Sequence, residues 1–398
     1  MSGLEHEVDP RGALFERPVE VGTNGQPTGV ELELPPDEPE RRSHLDPKNV
    51  GIETVPATVD RLLSRYWAGR IDLAPDFHRR AGMWSDAQQS RFVESLLLGI
   101  PVAPFHMAQQ SGDVWSVVLG VQELTALARF VGTPPDELPP LRLTGLEYMG
   151  SLEGATFRHL SGRMRIRLLE VPLVVHLVRQ TTSDAVKFNV FSRVSASGPQ
   201  LAPQEIRHAM MPGPARELLA DLAEHPAFGQ ATGFGVSNER MADRELVLRF
   251  LAFRLTGPLE YRQRRYDFEQ FLTAAMRQVN ELSEEQRREE ELKFLRAMET
   301  AHRLFGDQAF RRSLGHKRKL PVNKALFEAI AVNLATLDDH ERKRLVASRD
   351  EVRAGLFAHL TGNFAFERAL TVAPGDPDNV WARFDVVREL FKEVLRGD

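Results

Sequence analysis

The chain has 398 residues, 42% of them hydrophobic, with 51 Lys and Arg against 56 Asp and Glu and no cysteine. That apolar content excludes a wholly disordered chain, and the length predicts two or three structural units at about 100–200 residues each. Without cysteine there is no disulfide scaffold, no thiolate zinc site and no cysteine nucleophile. No apolar run reaches the length of a membrane span, and the opening MSGLEHEVDP lacks the basic and apolar regions of a signal peptide. A cytoplasmic protein with no membrane partner is therefore expected.

The charge is unevenly placed. Residues 1–50 hold 11 acidic and 5 basic side chains and seven prolines, whereas the remainder is close to neutral. This composition predicts a flexible acidic arm over 1–50. Order is expected from about Thr54. A short helix over Val59–Tyr66 precedes a strand at Arg70–Leu73. Ser85 and Gln88 form a capping-box pair before the apolar stripe Phe92, Val93, Leu96 and Leu97, on a helix that stops at Gly99 and Pro101. Strands are predicted at Val102–Met107 and Val114–Leu119, and Gly120 then opens a helix over Val121–Phe130.

A second β-rich stretch is read from Met164 to Val178, with Pro172 marking a bend. Helices follow at Ser183–Arg193 and Gln204–Met211. Beyond Pro214 helical periodicity takes over, at Ala215–Glu224, Asn238–Leu255, Tyr266–Leu282, Ser283–Leu304, Asn323–Leu337, Asp338–Arg353 and Val380–Leu395. The fold class is thus α+β: an α+β domain over 51–213, then an all-helical domain over 214–398.

Signatures of known chemistry are missing: no HExxH, P-loop, GxGxxG or GxSxG occurs. The histidines are scattered, none paired at zinc-ligand spacing beside a carboxylate. His176 reads as a satisfied core histidine, and His106 faces either a cleft or the core. Three polar clusters interrupt the apolar pattern: Pro75–Arg80, Gly120–Thr125 and Phe191–Gly198. A glycine at a strand-to-helix turn exposes helix N–H groups to an anion, and Arg79 and Arg193 supply forked donors that could clamp one. A turn glycine with surface arginines explains the same pattern without a ligand. Two basic patches stand out, Arg311-Arg312 with Lys317-Arg318-Lys319, and Arg262–Tyr266. The first could contact a nucleic-acid backbone or form a solvated loop at a helix end. In the second, Tyr266 could stack on a base or anchor the next helix.

In this order, the clusters resemble the N-terminal domain family of GmrSD-type restriction endonucleases, placed in the ParB/sulfiredoxin-like superfamily. Pro75-Asp76-Phe77-His78-Arg79, Trp84 and Glu94–Pro101 match the family's Pro-x-Phe/Tyr-Gln-Arg block and the helix after it. Leu119-Gly120-Val121-Gln122-Glu123-Leu124-Thr125-Ala126-Leu127 aligns with its Asp-Gly-Gln-Gln-Arg-Leu-Thr-Ala-Leu signature. Phe191–Gly198 and Gln204-Glu205-Ile206-Arg207 match two later blocks, and Arg240–Phe250, Phe310–Arg312 and Asn323–Ala329 resemble the helical part of single-domain members. The resemblance spans about 50–390.

It implies binding of a nucleoside triphosphate with a divalent metal, NTP hydrolysis and nucleic-acid cleavage, with Arg79, Gly120, Gln122 and Arg193 as the cofactor-binding positions. The departures cut against turnover. The signature's Asp is Leu119, its first Gln is Val121 and its Arg is Glu123; His78 and Ser195 replace a further Gln and Asn. A reversed unit charge about 4 Å from a phosphate shifts their interaction by roughly 8 kcal/mol at an effective dielectric of about 20. The expectation is a degenerate member serving as a nucleic-acid-binding or regulatory subunit of a bacterial defence system, with a protein partner or a second copy. Two alternatives stand beside it. One is an active NTP-dependent DNA nuclease whose rewired site uses Glu123 and His78, with Arg79, Gln122 and Arg193 as further catalytic candidates. The other is a protein-binding assembly factor that engages a basic partner through the acidic arm.

Overall fold

The computed structural model describes residues 18–22, 25–33, 50–73, 84–132, 139–196, 201–314 and 320–397. Two compact units emerge, one of residues 44–212 and one joining residues 1–43 to 213–398.

The first described element is a hairpin of β1 (Val19–Val21) and β2 (Pro27–Glu31), inside the segment expected to be a flexible arm. For these residues that expectation is corrected. Val30 and Thr28 are fully buried, and Val30 forms a parallel bridge with Val322 of the helical unit. Composition misleads here because the carboxylates of the strands find buried cations rather than water.

The sheet unit begins with β3 (Ile52–Thr58) and α1 (Val59–Trp67), where the Thr58 hydroxyl caps the helix. β4 (Ile71–Asp72) follows, then α2 (Asp86–Leu98), which starts at the Ser85–Gln88 capping box and ends at Gly99 in the left-handed conformation. β5 (Phe105–Gln109), β6 (Trp115–Leu119) and α3 (Val121–Val131) come next. Then come α4 (Gly162–Leu169), β7 (Pro172–Val178), α5 (Asp184–Ser195) and α6 (Pro203–Met210).

The five strands form a mixed sheet in the order β3-β7-β5-β6-β4. β3 runs antiparallel to β7 and β5 antiparallel to β6, while β7–β5 and β6–β4 are parallel. Period-2 alternation sends Leu173, Val175, Leu177, Phe105, Met107, Trp115 and Val117 into one core with the apolar stripes of α1 to α4. On the other face α6 lies against β6.

The strand expected to begin at Met164 is corrected to begin at Pro172. Residues 162–169 are helical, with Ser161 accepting the Met164 N–H as cap. The alternation Met164-Arg165-Ile166-Arg167-Leu168 imitates a strand, but in the helix only Leu168 is buried. Ser and Arg obey capping and helix propensity here, and period 2 is coincidental.

The helical unit runs α7 (Pro214–Glu224), α8 (Pro226–Thr232), α9 (Ala242–Thr256), α10 (Pro258–Arg264), α11 (Phe268–Glu281) and α12 (Glu284–Phe305). It continues through α13 (Lys324–Thr336), α14 (Asp339–Ala347), α15 (Arg349–Gly362), α16 (Phe364–Thr371) and α17 (Pro377–Arg396). The single helix expected over Asp338–Arg353 is two, broken at Ser348. α9 and α13 are buried nearly all round, which marks them as the centre of the unit. Both carry charges inward, among them Glu245, Arg249, Lys324 and Glu328. No helix among the described residues is long and apolar enough to cross a membrane.

Candidate functional site

The turn from β6 into α3 gathers Gly120, Gln122 and Glu123. Gly120 has φ +108°, and a Cβ placed on it would lie 2.3 Å from Cδ1 of Phe105. Glycine is required twice, by the left-handed backbone and by the buried Phe105 ring against it. The approach to the turn from that side is apolar. Gln122 accepts the Trp84 N–H at 3.2 Å through Oε1, and Gln89 donates to the Trp84 carbonyl at 2.9 Å. Between them the two amides fix the entry of α2 against α3. Arg129, 4% exposed, completes the seam by donating to Asp86, Gln89 and the Pro139 carbonyl.

Glu123 sits in the first turn of α3, half-buried, and burial pushes its carboxyl above the ordinary value of 4.5; only its own backbone amide opposes this. No ion pair is formed by it among the described residues. An ionised carboxylate at this position repels a phosphate.

The other matched positions are spent on structure. Glu205 accepts the Ala202 N–H at 2.7 Å and closes the start of α6. Arg207 is fully buried, donates to Gln204 at 2.9 Å and lies 5.5 Å from the Phe188 ring centroid. Buried Ser195 donates to the Ser192 carbonyl at 3.1 Å. Arg193 is exposed in the last turn of α5 and makes no described bond to the α3 turn. His78, Arg79, Ser197 and Gly198 lie outside the described residues.

His176 is half-buried rather than a core histidine. It pairs in register with His106 on the adjacent parallel strand, their ring centroids 5.1 Å apart, and its Nδ1 lies 3.2 Å from the Thr54 hydroxyl. Burial, and then the neighbouring His176, push the His106 pKa below 6.5 and favour the neutral ring. Among the described residues no group of three or more His, Asp or Glu is placed to hold a metal ion.

The described part of the first basic patch is internal, which removes Arg311 and Arg312 from the nucleic-acid candidates. Arg311 is 3% exposed and donates to the carbonyls of Asp307, Thr232 and Leu320. Arg312 is 2% exposed and its Nε faces both oxygens of Glu31 at 3.1 Å. Lys317, Arg318 and Lys319 lie outside the described residues.

The second patch is neutralised in place. Arg262 pairs with Asp378 at 2.8 Å and Arg264 with Glu260 at 2.8 Å, while Tyr266 packs on Tyr261 and Phe271. An open groove of about 550 Å³ nearby is lined by Leu259, Trp381, Arg264 and Arg388 among others, and Arg388 is itself paired with Asp385 and Glu389.

What the pattern reading missed are the arginines of α4, because that segment reads as a strand. Arg158, Arg163, Arg165 and Arg167 are all exposed, and none forms an ion pair among the described residues. The signal was present as a stretch without a carboxylate from Gly154 to Leu169.

Compared with known proteins, the chain matches no family model, no curated protein and no solved structure.

Proposed function

We propose that this chain is a catalytically degenerate GmrSD-like protein, acting as a nucleic-acid-binding or regulatory subunit of a bacterial defence, restriction-like system. In this reading the mixed five-stranded sheet with its strand–glycine–helix turn is a ParB/sulfiredoxin-like scaffold. The observation that carries the proposal is the fate of the signature turn. Where the family's signature places an arginine, Glu123 is half-buried with its carboxyl pushed up; Gln122 is committed to the Trp84 N–H; and Phe105 fills the space over Gly120. Groups that would bind and orient a triphosphate hold α2 against α3 instead.

The test is turnover. Purified full-length protein is incubated with ATP or GTP, magnesium or manganese, and supercoiled DNA. Neither phosphate release nor nicking is expected above the blank, and Arg79→Ala should be indistinguishable from the parent. Robust turnover abolished by Arg79→Ala would overturn the reading.

A further inference from the structure

Several charges of the sheet unit are paired. Arg91 meets Glu147 at 2.9 Å, Arg179 meets Glu53 at 3.0 Å, and Arg65 meets Asp113 at 2.9 Å. The segment over and before α4 has no such pair among the described residues. From Gly154 to Leu169 the chain carries four arginines and one histidine and no carboxylate. Arg158, His159, Arg163, Arg165 and Arg167 are all exposed. The carboxylates that bracket the stretch do not answer them. Glu153 is bound to the N–H groups of Gly145 and Leu146, and Glu170 forms no ion pair among the described residues.

Helical geometry sorts these groups. Leu168 is buried and Met164, nearly beside it on the helical wheel, is half-buried, so this side of α4 faces the core. Ile166 lies opposite, Arg163 sits about 120° round from the core-facing direction, and Arg165 and Arg167 flank that direction on either side; Arg163 and Arg167 are one turn apart and roughly 6 Å from each other. Ile166 is 58% exposed. Arg167 touches the end of α2 only through a 3.4 Å bond to the Leu98 carbonyl, and Arg165 lies on the flank. Arg158, in the short turn before α4, adds a fourth guanidinium.

Three guanidinium groups on a short, capped helix and a fourth in the turn before it, with no acid interleaved and no ion pair among the described residues, suit a dense polyanion. We infer that the outer face of α4, with Arg158, Arg163, Arg165 and Arg167, is the phosphate-backbone contact surface for a DNA duplex. The inference deepens the nucleic-acid-binding reading, on which the choice of occupant rests, and places the contact on the sheet unit rather than at residues 311–319. Guanidinium groups pair well with phosphate oxygens, and contacts of this kind carry affinity without base sequence. No base-reading side chain is assigned, so binding is non-specific.

The experiment is fluorescence anisotropy of a labelled 20-bp duplex with the full chain over a salt series. Four phosphate contacts predict a log K against log[salt] slope of about −3 to −4. Arg163→Glu/Arg167→Glu should weaken binding about tenfold or more and flatten the slope by about 2. Arg158→Glu, outside the helix and unable to disturb it, should flatten the slope by about 1. Arg288→Glu/Arg349→Glu, the same charge change at exposed positions of the helical unit, should bind as the parent does. Parental binding by both the double α4 variant and Arg158→Glu would overturn the surface while leaving nucleic-acid binding standing. No duplex binding by the parent at low salt would overturn both. Binding of poly-glutamate but not duplex, lost in the α4 variants, would assign the face to an acidic protein partner and overturn the DNA assignment.

Discussion

Gly120 meets two constraints at once. An alanine there would force φ near +108° on a residue that resists it and drive its Cβ into the Phe105 ring. Gly120→Ala should cost about 2–3 kcal/mol, read as a lower denaturant midpoint. Its partner in the turn makes the opposite prediction. Because burial raises the Glu123 pKa, the native state favours the protonated carboxyl, so this group's contribution is greatest below about 4.5 and falls as pH rises through the raised value. Glu123→Gln should therefore raise the melting temperature at pH 7 by a few degrees, and the gain should vanish at acid pH. A larger gain at acid pH than at neutral pH would contradict the assignment.

Glu94 works the other way. It is 3% exposed, and it receives the backbone N–H groups of Glu147, Tyr148 and Met149 at 3.1, 2.8 and 2.6 Å. Burial alone would raise its pKa, but these three bonds and Arg91 hold it below 4.5. Glu94→Ala should destabilise the sheet unit by about 2–3 kcal/mol and speed amide exchange at 147–149.

Among the elements, the hairpin is the piece that composition hid. Its three carboxylates each meet a buried cation: Glu20 with Lys324 at 2.9 Å, Glu31 with Arg312 at 3.1 Å, and Glu33 with Arg249. Arg249 also reaches Glu245 and Glu328, and Glu328 pairs with the fully buried Arg383. Backbone joins the side chains: Glu31 N–H donates to the Val322 carbonyl at 2.9 Å, and Val322 N–H to that of Gly29 at 2.9 Å. Gly29 lies so close to the Gly235 carbonyl that a Cβ has no room. Deleting residues 1–33 would leave Arg249, Lys324 and Arg312 short of their counter-charges, each at a cost of about 3–5 kcal/mol. The helical unit should then lose its cooperative melt. An unchanged melt would restore the view of this segment as a free arm.

Acid should act on the same element. Burial would raise Glu33, but the Arg249 guanidinium outweighs it and holds the carboxyl below 4.5. Its stabilisation is therefore present above that value and lost as pH falls through the lowered one. Glu33→Gln should lose stability at pH 7 and approach the parent as the pH falls below 4.5, followed by thermal melts across pH. Periodicity made most helices legible, and Ser85 with Gln88 marked the start of α2 to the residue. The hairpin was not legible because its partners, Arg249, Arg312 and Lys324, lie more than 200 positions away. α4 was hidden by an accidental alternation that only capping by Ser161 resolves.

At the scale of the molecule, the chain starts the helical unit with the hairpin, builds the sheet unit from 44 to 212, and returns to the helical unit at 213. The sheet unit is thus inserted, in sequence, between two parts of the other. The candidate site was partly legible. Glycine at a strand-to-helix turn located Gly120, Gln122 and Glu123 together, but no spacing rule reveals that a side chain is already committed to Trp84 or that Phe105 fills the space above the glycine. Net charge was a poor guide to partners, since Arg311 and Arg312 count as basic in sequence yet serve the interior, whereas the α4 arginines reach solvent with no ion pair among the described residues.

On the proposed function, the α3 turn is a structural joint and not a triphosphate site. This is tested most directly by equilibrium binding of a fluorescent ATP analogue to the full chain with magnesium, in parallel with Glu123→Gln. No saturable binding is expected up to millimolar protein or nucleotide, in either form. Saturable, magnesium-dependent binding by the parent that is lost in Glu123→Gln would contradict this reading.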